Sequence, residues 1–124
     1  MLGDDKTIKI LFFGDMVGRP GRFAVRDYLT KHCSSKPESE QTQFVMANVE
    51  NASHGFGLTE KNYNEISEYG IDCMTAGNHI WDKKEIFNYI DRADKLVRPI
   101  NYPNEAPGVG GRIFELANGV KIGV

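Results

Sequence analysis

The sequence predicts an α/β domain organised around a parallel sheet, and three observations carry that expectation. Short apolar runs occupy 8–13, 44–47 and 71–76, and each is closed by Gly or Asn. After each run, apolar residues recur at helical spacing. Strand and helix signals therefore alternate three times, the pattern of successive crossovers in one sheet.

The first run, Ile8 to Phe13, ends at Gly14 and reads as a strand buried on both faces. Pro20 then suits a first helical turn, and Phe23, Ala24, Val25, Tyr28 and Leu29 continue the helix to a polar segment, 34–43, expected as a loop. Phe44, Val45, Met46 and Ala47 form the second strand. Thr59 opens a second helix carrying Tyr63, Ile66 and Tyr69, which Gly70 stops. The third strand spans 71–76, and Asp82 with Glu85 has the spacing of a capping box for a helix carrying Ile86, Phe87 and Ile90. Trp81, Tyr63 and Phe87 are expected in the core.

Beyond residue 98 the character changes. Pro99, Pro103 and Pro107 with Gly108, Gly110 and Gly111 describe an irregular loop. Residues 112–116 and 120–124 then read as a hairpin turning at Asn118-Gly119. We expect a single domain over 1–124, with strand-helix units at 8–98, a Pro/Gly loop at 99–111 and the hairpin at 112–124. A chain that stops inside an apolar strand also reads as an incomplete domain, because boundaries normally fall in exposed polar linkers.

Composition narrows the function. The 124 residues are 40% hydrophobic and 26% charged, an ordinary globular balance. A formal net charge of -2 gives no cationic footprint for a long nucleic acid, but leaves a small phosphorylated substrate open. Asp4 and Asp5 stand where a secretory signal needs positive charge, and no stretch approaches the ~20 apolar residues of a membrane span. Cys33 and Cys73 are not expected to pair. The expected location is cytoplasmic, with reduced thiols.

In open parallel sheets, ligands bind beyond the carboxyl ends of the strands. Just there lie Asp15 after the first strand, Asn48, Glu50 and Asn51 after the second, and Asn78 and His79 after the third. Oxygen donors beside an imidazole suit hard or borderline divalent ions, and two such ions serve phosphoester hydrolysis. Taken singly, each residue has a plainer reading: Asp15 as a helix cap, Asn51 and Asn78 as turn residues, Glu50 as solvated. Residues 14–18 lack the Gly-Lys-Ser/Thr ending of a triphosphate loop.

The segments Gly14-Asp15-Met16-Val17-Gly18, Asn48-Val49-Glu50-Asn51-Ala52 and Gly77-Asn78-His79-Ile80-Trp81-Asp82 resemble the YmdB-type branch of the calcineurin-like metallophosphoesterases. The tract from Leu96 to Pro103 is similar to that branch as well. The resemblance implies a four-layer α/β/β/α sandwich that hydrolyses small phosphodiesters, 2',3'-cyclic nucleotides among them. Its two divalent ions would be Fe or Mn, with Mg or Zn as alternatives. It implies that Asp15 binds the first metal, Glu50 bridges the pair, Asn51 completes the first site and Asn78 binds the second. His79 becomes the catalytic histidine, acting on the leaving oxygen without ligating metal. Val17 stands where many calcineurin-like enzymes have the histidine of Asp-x-His, a difference this branch shares.

The same resemblance implies three further histidine ligands from a carboxy-terminal half, which His32, on a helix, and His54, in a glycine-containing loop, are not placed to replace. Alone, the chain is therefore expected to be inactive. His54 and Arg98 are weaker candidates for substrate contact. The competing expectation is a non-catalytic phosphate- or nucleotide-binding module, or a regulatory one, in which copies of the chain associate as a homo-oligomer.

Overall fold

A computed structural model describes residues 7–34 and 44–124. Most of the expected polar loop at 34–43 lies outside those residues. Four strands, β1 (Ile10–Asp15), β2 (Phe44–Asn48), β3 (Cys73–Thr75) and β4 (Leu96–Val97), form one parallel sheet in the order β1-β2-β3-β4. Helices α1 (Gly18–Leu29), α2 (Glu60–Glu68) and α3 (Ile86–Tyr89) carry the crossovers. A separate antiparallel hairpin joins β5 (Ile113–Glu115) to β6 (Lys121–Gly123).

The helices cover one face of the sheet. Val45, Ala47, Met74 and Leu96 meet Val25 and Leu29 of α1, Tyr63 and Ile66 of α2, and Ile86 and Tyr89 of α3. Ile66, Ile71, Ile80 and Ile86 have no exposed surface, and full burial of each contributes roughly 1.5–3 kcal/mol. On the opposite face a smaller cluster of Phe44, Cys73 and Val97 receives Phe114, Leu116, Ile122 and Val124 from the hairpin. The Phe44 and Phe114 rings lie 5.4 Å apart.

Several expectations need correction. β1 is an edge strand, not one buried on both faces: Ile10 and Phe12, in register with Phe44 and Met46, are each 54% exposed because the hairpin covers only the other side of that face. α1 begins two residues before Pro20, and Phe23 and Tyr28 lie on its exposed side. The Asp82–Glu85 capping box does not form. Residues Asn78–Asp82 make a 3-10 turn, Asp82 bonds His79 instead, and Glu85 accepts a hydrogen bond from the Glu60 amide. Phe87 is 52% exposed and stacks on Trp81 at 5.7 Å, so it packs at the surface. The short strand Leu96–Val97 was not anticipated. Two residues flanked by Lys95 and Arg98 give no periodicity to read.

Other elements match their signals. Thr59 caps α2 by accepting from the Asn62 amide at 3.1 Å. The hairpin turns at Asn118-Gly119, with Gly119 at φ 84. Cys33 and Cys73 are both outside any disulfide. Among the described residues no helix is long and apolar enough to cross a membrane.

A polar network joins α1 to α2 beneath the loop after β2. Buried Arg22 donates to the Ala52 carbonyl at 2.6 Å and pairs with Glu65 at 3.3 Å. Glu65 also accepts from Tyr69 and, at 2.8 Å, from Asn62, while Ser53 donates to Asn62 at 2.6 Å. Burial alone would raise the Glu65 carboxyl. The bonds from Tyr69 and Asn62, with the Arg22 charge, outweigh that and hold it below its ordinary value of 4.5. A depressed carboxyl contributes stability that is fully present above the unfolded value and is lost as pH falls through the folded one. Glu65→Gln should therefore be less stable than the parent protein at pH 7, and the gap should narrow below about pH 4.5. Urea unfolding of both proteins at pH 7 and pH 3.5 measures this, and a gap that does not change with pH would sink the assignment.

Candidate metal centre

The expected residues do meet at the carboxyl edge of the sheet, and a bulge helps bring them there. Phe13 pairs with Ala47, but Asp15, two residues on, pairs with Asn48, one residue on. Gly14 is the extra residue, and such a bulge re-aims the side chain that follows it. Backbone bonds then tie the strand ends together: Met16 to Asn48 at 3.1 Å, Gly18 to Asn51 at 2.9 Å and Val49 to Thr75 at 2.9 Å.

Asn51 donates its amide nitrogen to both oxygens of Asp15 at 3.0 Å, although the two residues are 36 apart in sequence. The half-buried Glu50 carboxylate accepts from the Asn48 amide at 3.4 Å and from the His79 backbone amide at 3.1 Å. It also lies against Gly77. A Cβ placed on that glycine would sit 2.4 Å from each Glu50 oxygen, so Gly77 leaves the space that the carboxylate fills. Asn78 opens the 3-10 turn and is exposed, and among the described residues its side chain has no hydrogen-bond partner.

His79 is exposed at the same edge, its Nδ1 2.7 Å from the Asp82 carboxylate. That bond is the largest influence raising the imidazole above its ordinary range. Slight desolvation opposes it, and the charges of Asp82, Glu50 and Asp15 add to the rise. With Nδ1 bound to Asp82, Nε2 is the ring atom left for a ligand.

Does this donor set fit divalent ions? No cluster of three or more His, Cys, Asp and Glu among the described residues is placed to hold one. The groups gathered there are instead the carboxylates of Asp15 and Glu50 and the Asn51 amide, with the Asn78 amide exposed at the start of the adjoining turn, all oxygen donors that suit Mg, Mn or Fe better than a thiolate-preferring ion. The Asn51 amide now turns its nitrogen to Asp15. Half a turn about its terminal bond would present the oxygen. The residues fit such ions.

The remaining candidates fall elsewhere. His54 lies in the loop after β2, exposed, at φ 59. Arg98, expected near a phosphate, is 6% exposed, and its guanidinium donates to the carbonyls of Pro107 and Pro99 at 3.0 Å and of Pro103 and Ala106 at 3.4 Å. It organises the Pro/Gly loop and has no donor aimed at the carboxyl edge of the sheet. His32 packs against the Tyr28 ring at 4.4 Å. Two positioning contacts escaped the sequence reading, Asn48 on Glu50 and Asp82 on His79. The second had a signal in the i, i+3 spacing, which a capping box explained equally well.

A sequence profile for YmdB-like proteins matches residues 11–124. The chain belongs to the YmdB-like family. Over 118 residues it is 48% identical to a 2',3'-cyclic-nucleotide 2'-phosphodiesterase of Bacillus subtilis, covering 94% of this chain and 42% of that protein. It is 33% identical over 120 residues to a putative phosphatase/phosphodiesterase of Mycoplasma genitalium, covering 94% of this chain and 41% of the relative. The chain therefore spans about two-fifths of the length of these curated relatives.

Two solved structures share the fold. A hypothetical protein from Thermus thermophilus superposes with a TM-score of 0.79 at 35% identity, over 92% of this chain and 42% of that one. A phosphatase from Mycoplasma pneumoniae gives 0.77 at 33% identity, over 89% and 39%. The YmdB-like chain is thus an α/β fold with a parallel four-stranded sheet that matches part of known phosphatase structures, and it is homologous to phosphodiesterases and phosphatases.

Proposed function

We propose that this chain contributes one side of a two-metal phosphodiesterase site that hydrolyses a small phosphodiester such as a 2',3'-cyclic nucleotide. The observation that carries the reading is that two bonded pairs, Asn51 on Asp15 and the His79 backbone on Glu50, bring residues from three separate strand ends to one edge of the sheet. The substrate class rests on the 48% identical relative. Asp15, Glu50, Asn51 and Asn78 are the metal ligands in this reading, and the ligands still needed would come from outside this chain. The cytoplasm, where Cys33 and Cys73 would stay reduced, is the compartment we assign.

Two divalent ions held there would polarise the phosphoryl oxygens and acidify a water into a nucleophile. The chain's own residues set the rest. The Asn48 amide and the His79 backbone hold the Glu50 carboxylate in the space beside Gly77. Asp82 fixes the His79 ring through Nδ1 and favours its protonated form. As water adds to phosphorus and releases a proton to solvent, the P–O bond to the ribose oxygen breaks, Nε2 gives that oxygen its proton, and solvent reprotonates the ring. Asp82 keeps Nδ1 protonated throughout.

The test is hydrolysis of a 2',3'-cyclic nucleotide by the full-length Mn- or Fe-loaded protein, together with Asp15→Asn. That variant keeps an oxygen donor but loses a charge, and it should bind metal about tenfold more weakly with a matching loss of rate. Unchanged metal stoichiometry and affinity would remove Asp15 from the ligand set.

A further inference from the structure

Beside the metal centre, between α1, the loop after β2 and the start of α2, lies a cavity of about 530 Å³ whose wall includes Arg19, His54 and Lys61. Six arginines fall among the described residues, and every one except Arg19 makes a hydrogen bond or an ion pair. Among the described residues Arg19, Lys61 and His54 have no such partner. They come from three different elements and line the same space.

The carboxylates in that wall do not cancel them. Glu65 is paired with Arg22 and accepts from Asn62 and Tyr69, which leaves Glu85 as the one acid without a cationic partner, against Arg19 and Lys61. An excess of unpaired cation in a cleft draws an anion. The cavity also adjoins the reacting end. Arg19 is four residues past Asp15, His54 is three past Asn51, and Asp15 and Asn51 are bonded at 3.0 Å. Chain geometry keeps both within roughly 11–15 Å of the metal ligands. Arg22, beneath the same cavity, bonds the Ala52 carbonyl one residue past Asn51.

We propose that Arg19, Lys61 and His54 form an anion subsite for a second phosphate group, so that the preferred substrate carries a phosphate besides the diester that is cleaved. The inference rests on the phosphodiesterase reading and adds its substrate class: a phosphorylated cyclic nucleotide over an unphosphorylated one. Guanidinium and ammonium donors to a phosphate dianion are charge-assisted, and Arg19 can engage two oxygens at once.

Two substrates decide it, adenosine 2',3'-cyclic phosphate and the same nucleotide with a 5'-phosphate, assayed at fixed ionic strength with the full-length metal-loaded protein. The 5'-phosphorylated substrate should have a kcat/KM roughly tenfold higher. In the Arg19→Ala/Lys61→Ala double variant that ratio should fall to about one. Equal kcat/KM values in the parent protein, or an undiminished ratio in the double variant, would overturn the subsite.

If neither substrate is turned over, the phosphodiesterase reading itself has failed, and a second measurement judges the subsite alone. The Mg-loaded full-length protein is titrated with inorganic phosphate while the His54 and Gly55 amides are followed by NMR. Saturable shifts that disappear in the double variant support the subsite. Static amides, or shifts unchanged by the double substitution, overturn it.

Discussion

Gly77→Ala should weaken metal binding by about 100-fold while leaving the fold nearly as stable as before, an unusual split for a single added methyl. Gly77 sits at φ -122 and ψ -155, extended backbone that alanine adopts without strain. The obstacle is Glu50: a Cβ would stand 2.4 Å from each carboxylate oxygen and 2.7 Å from the carbon that joins them. A flexible side chain can retreat from such a contact at small cost in stability. Retreat, however, takes the proposed bridging carboxylate away from the Asn48 amide and the His79 backbone that orient it. Metal content after dialysis and the unfolding midpoint, measured on the same samples, separate the two effects. A midpoint that collapses along with metal content would show that Gly77 serves the fold. Retained metal would show that Glu50 does not bind it.

That glycine marks the limit of what could be read from the chain alone. The strand-helix alternation was legible because Phe44 to Ala47 and Ile71 to Ala76 are apolar runs with plain stops, and Thr59 is a capping residue in the right place. The shared location of the candidate residues was legible for a related reason: a parallel sheet gathers whatever follows its strands. Which polar residue serves which neighbour was not legible, because the same short spacing supports different bonds. Asp82 and Glu85 have capping-box spacing, yet Asp82 turns back to His79 and Glu85 reaches the Glu60 amide. Arg98 follows a strand end as Glu50 and Asn78 do, yet burial directs its donors to four backbone carbonyls. Edge position was also hidden, since Ile10 and Phe12 are as apolar as residues of a central strand and only the sheet order exposes them.

The bonds that the sequence concealed also divide the labour at the site. Asp15 is braced by Asn51, and Glu50 by the Asn48 amide and the His79 backbone, whereas the His79 ring is braced from behind by Asp82 through Nδ1. Arg22 secures the loop that carries Glu50 and Asn51 through the Ala52 carbonyl, so the proposed metal side of the site rests on helix-to-helix packing. The histidine side rests on the turn Asn78–Asp82, where His79 is exposed and Ile80 is buried in the core. Substitutions on the two sides should accordingly fail differently, one through metal and the other through proton transfer.

His79→Ala tests that division, and its expected effect is a fall in kcat of about 10²–10⁴ with metal content unchanged. The size of the loss should depend on the leaving group. A ribose oxygen leaves poorly without a proton, so a 2',3'-cyclic nucleotide should feel the full deficit. A nitrophenyl diester departs as a stabilised phenolate and needs little help, so it should lose far less. Asp82→Asn keeps a hydrogen-bonding partner at Nδ1 but removes the charge that favours the protonated ring, and it should show the same leaving-group pattern in milder form. Equal losses on both substrates would assign His79 to binding or to metal, and full activity on the cyclic nucleotide would remove it from the reaction. The ratio between substrates is the informative quantity, because misfolding or metal loss lowers both rates together and only a missing proton donor separates them.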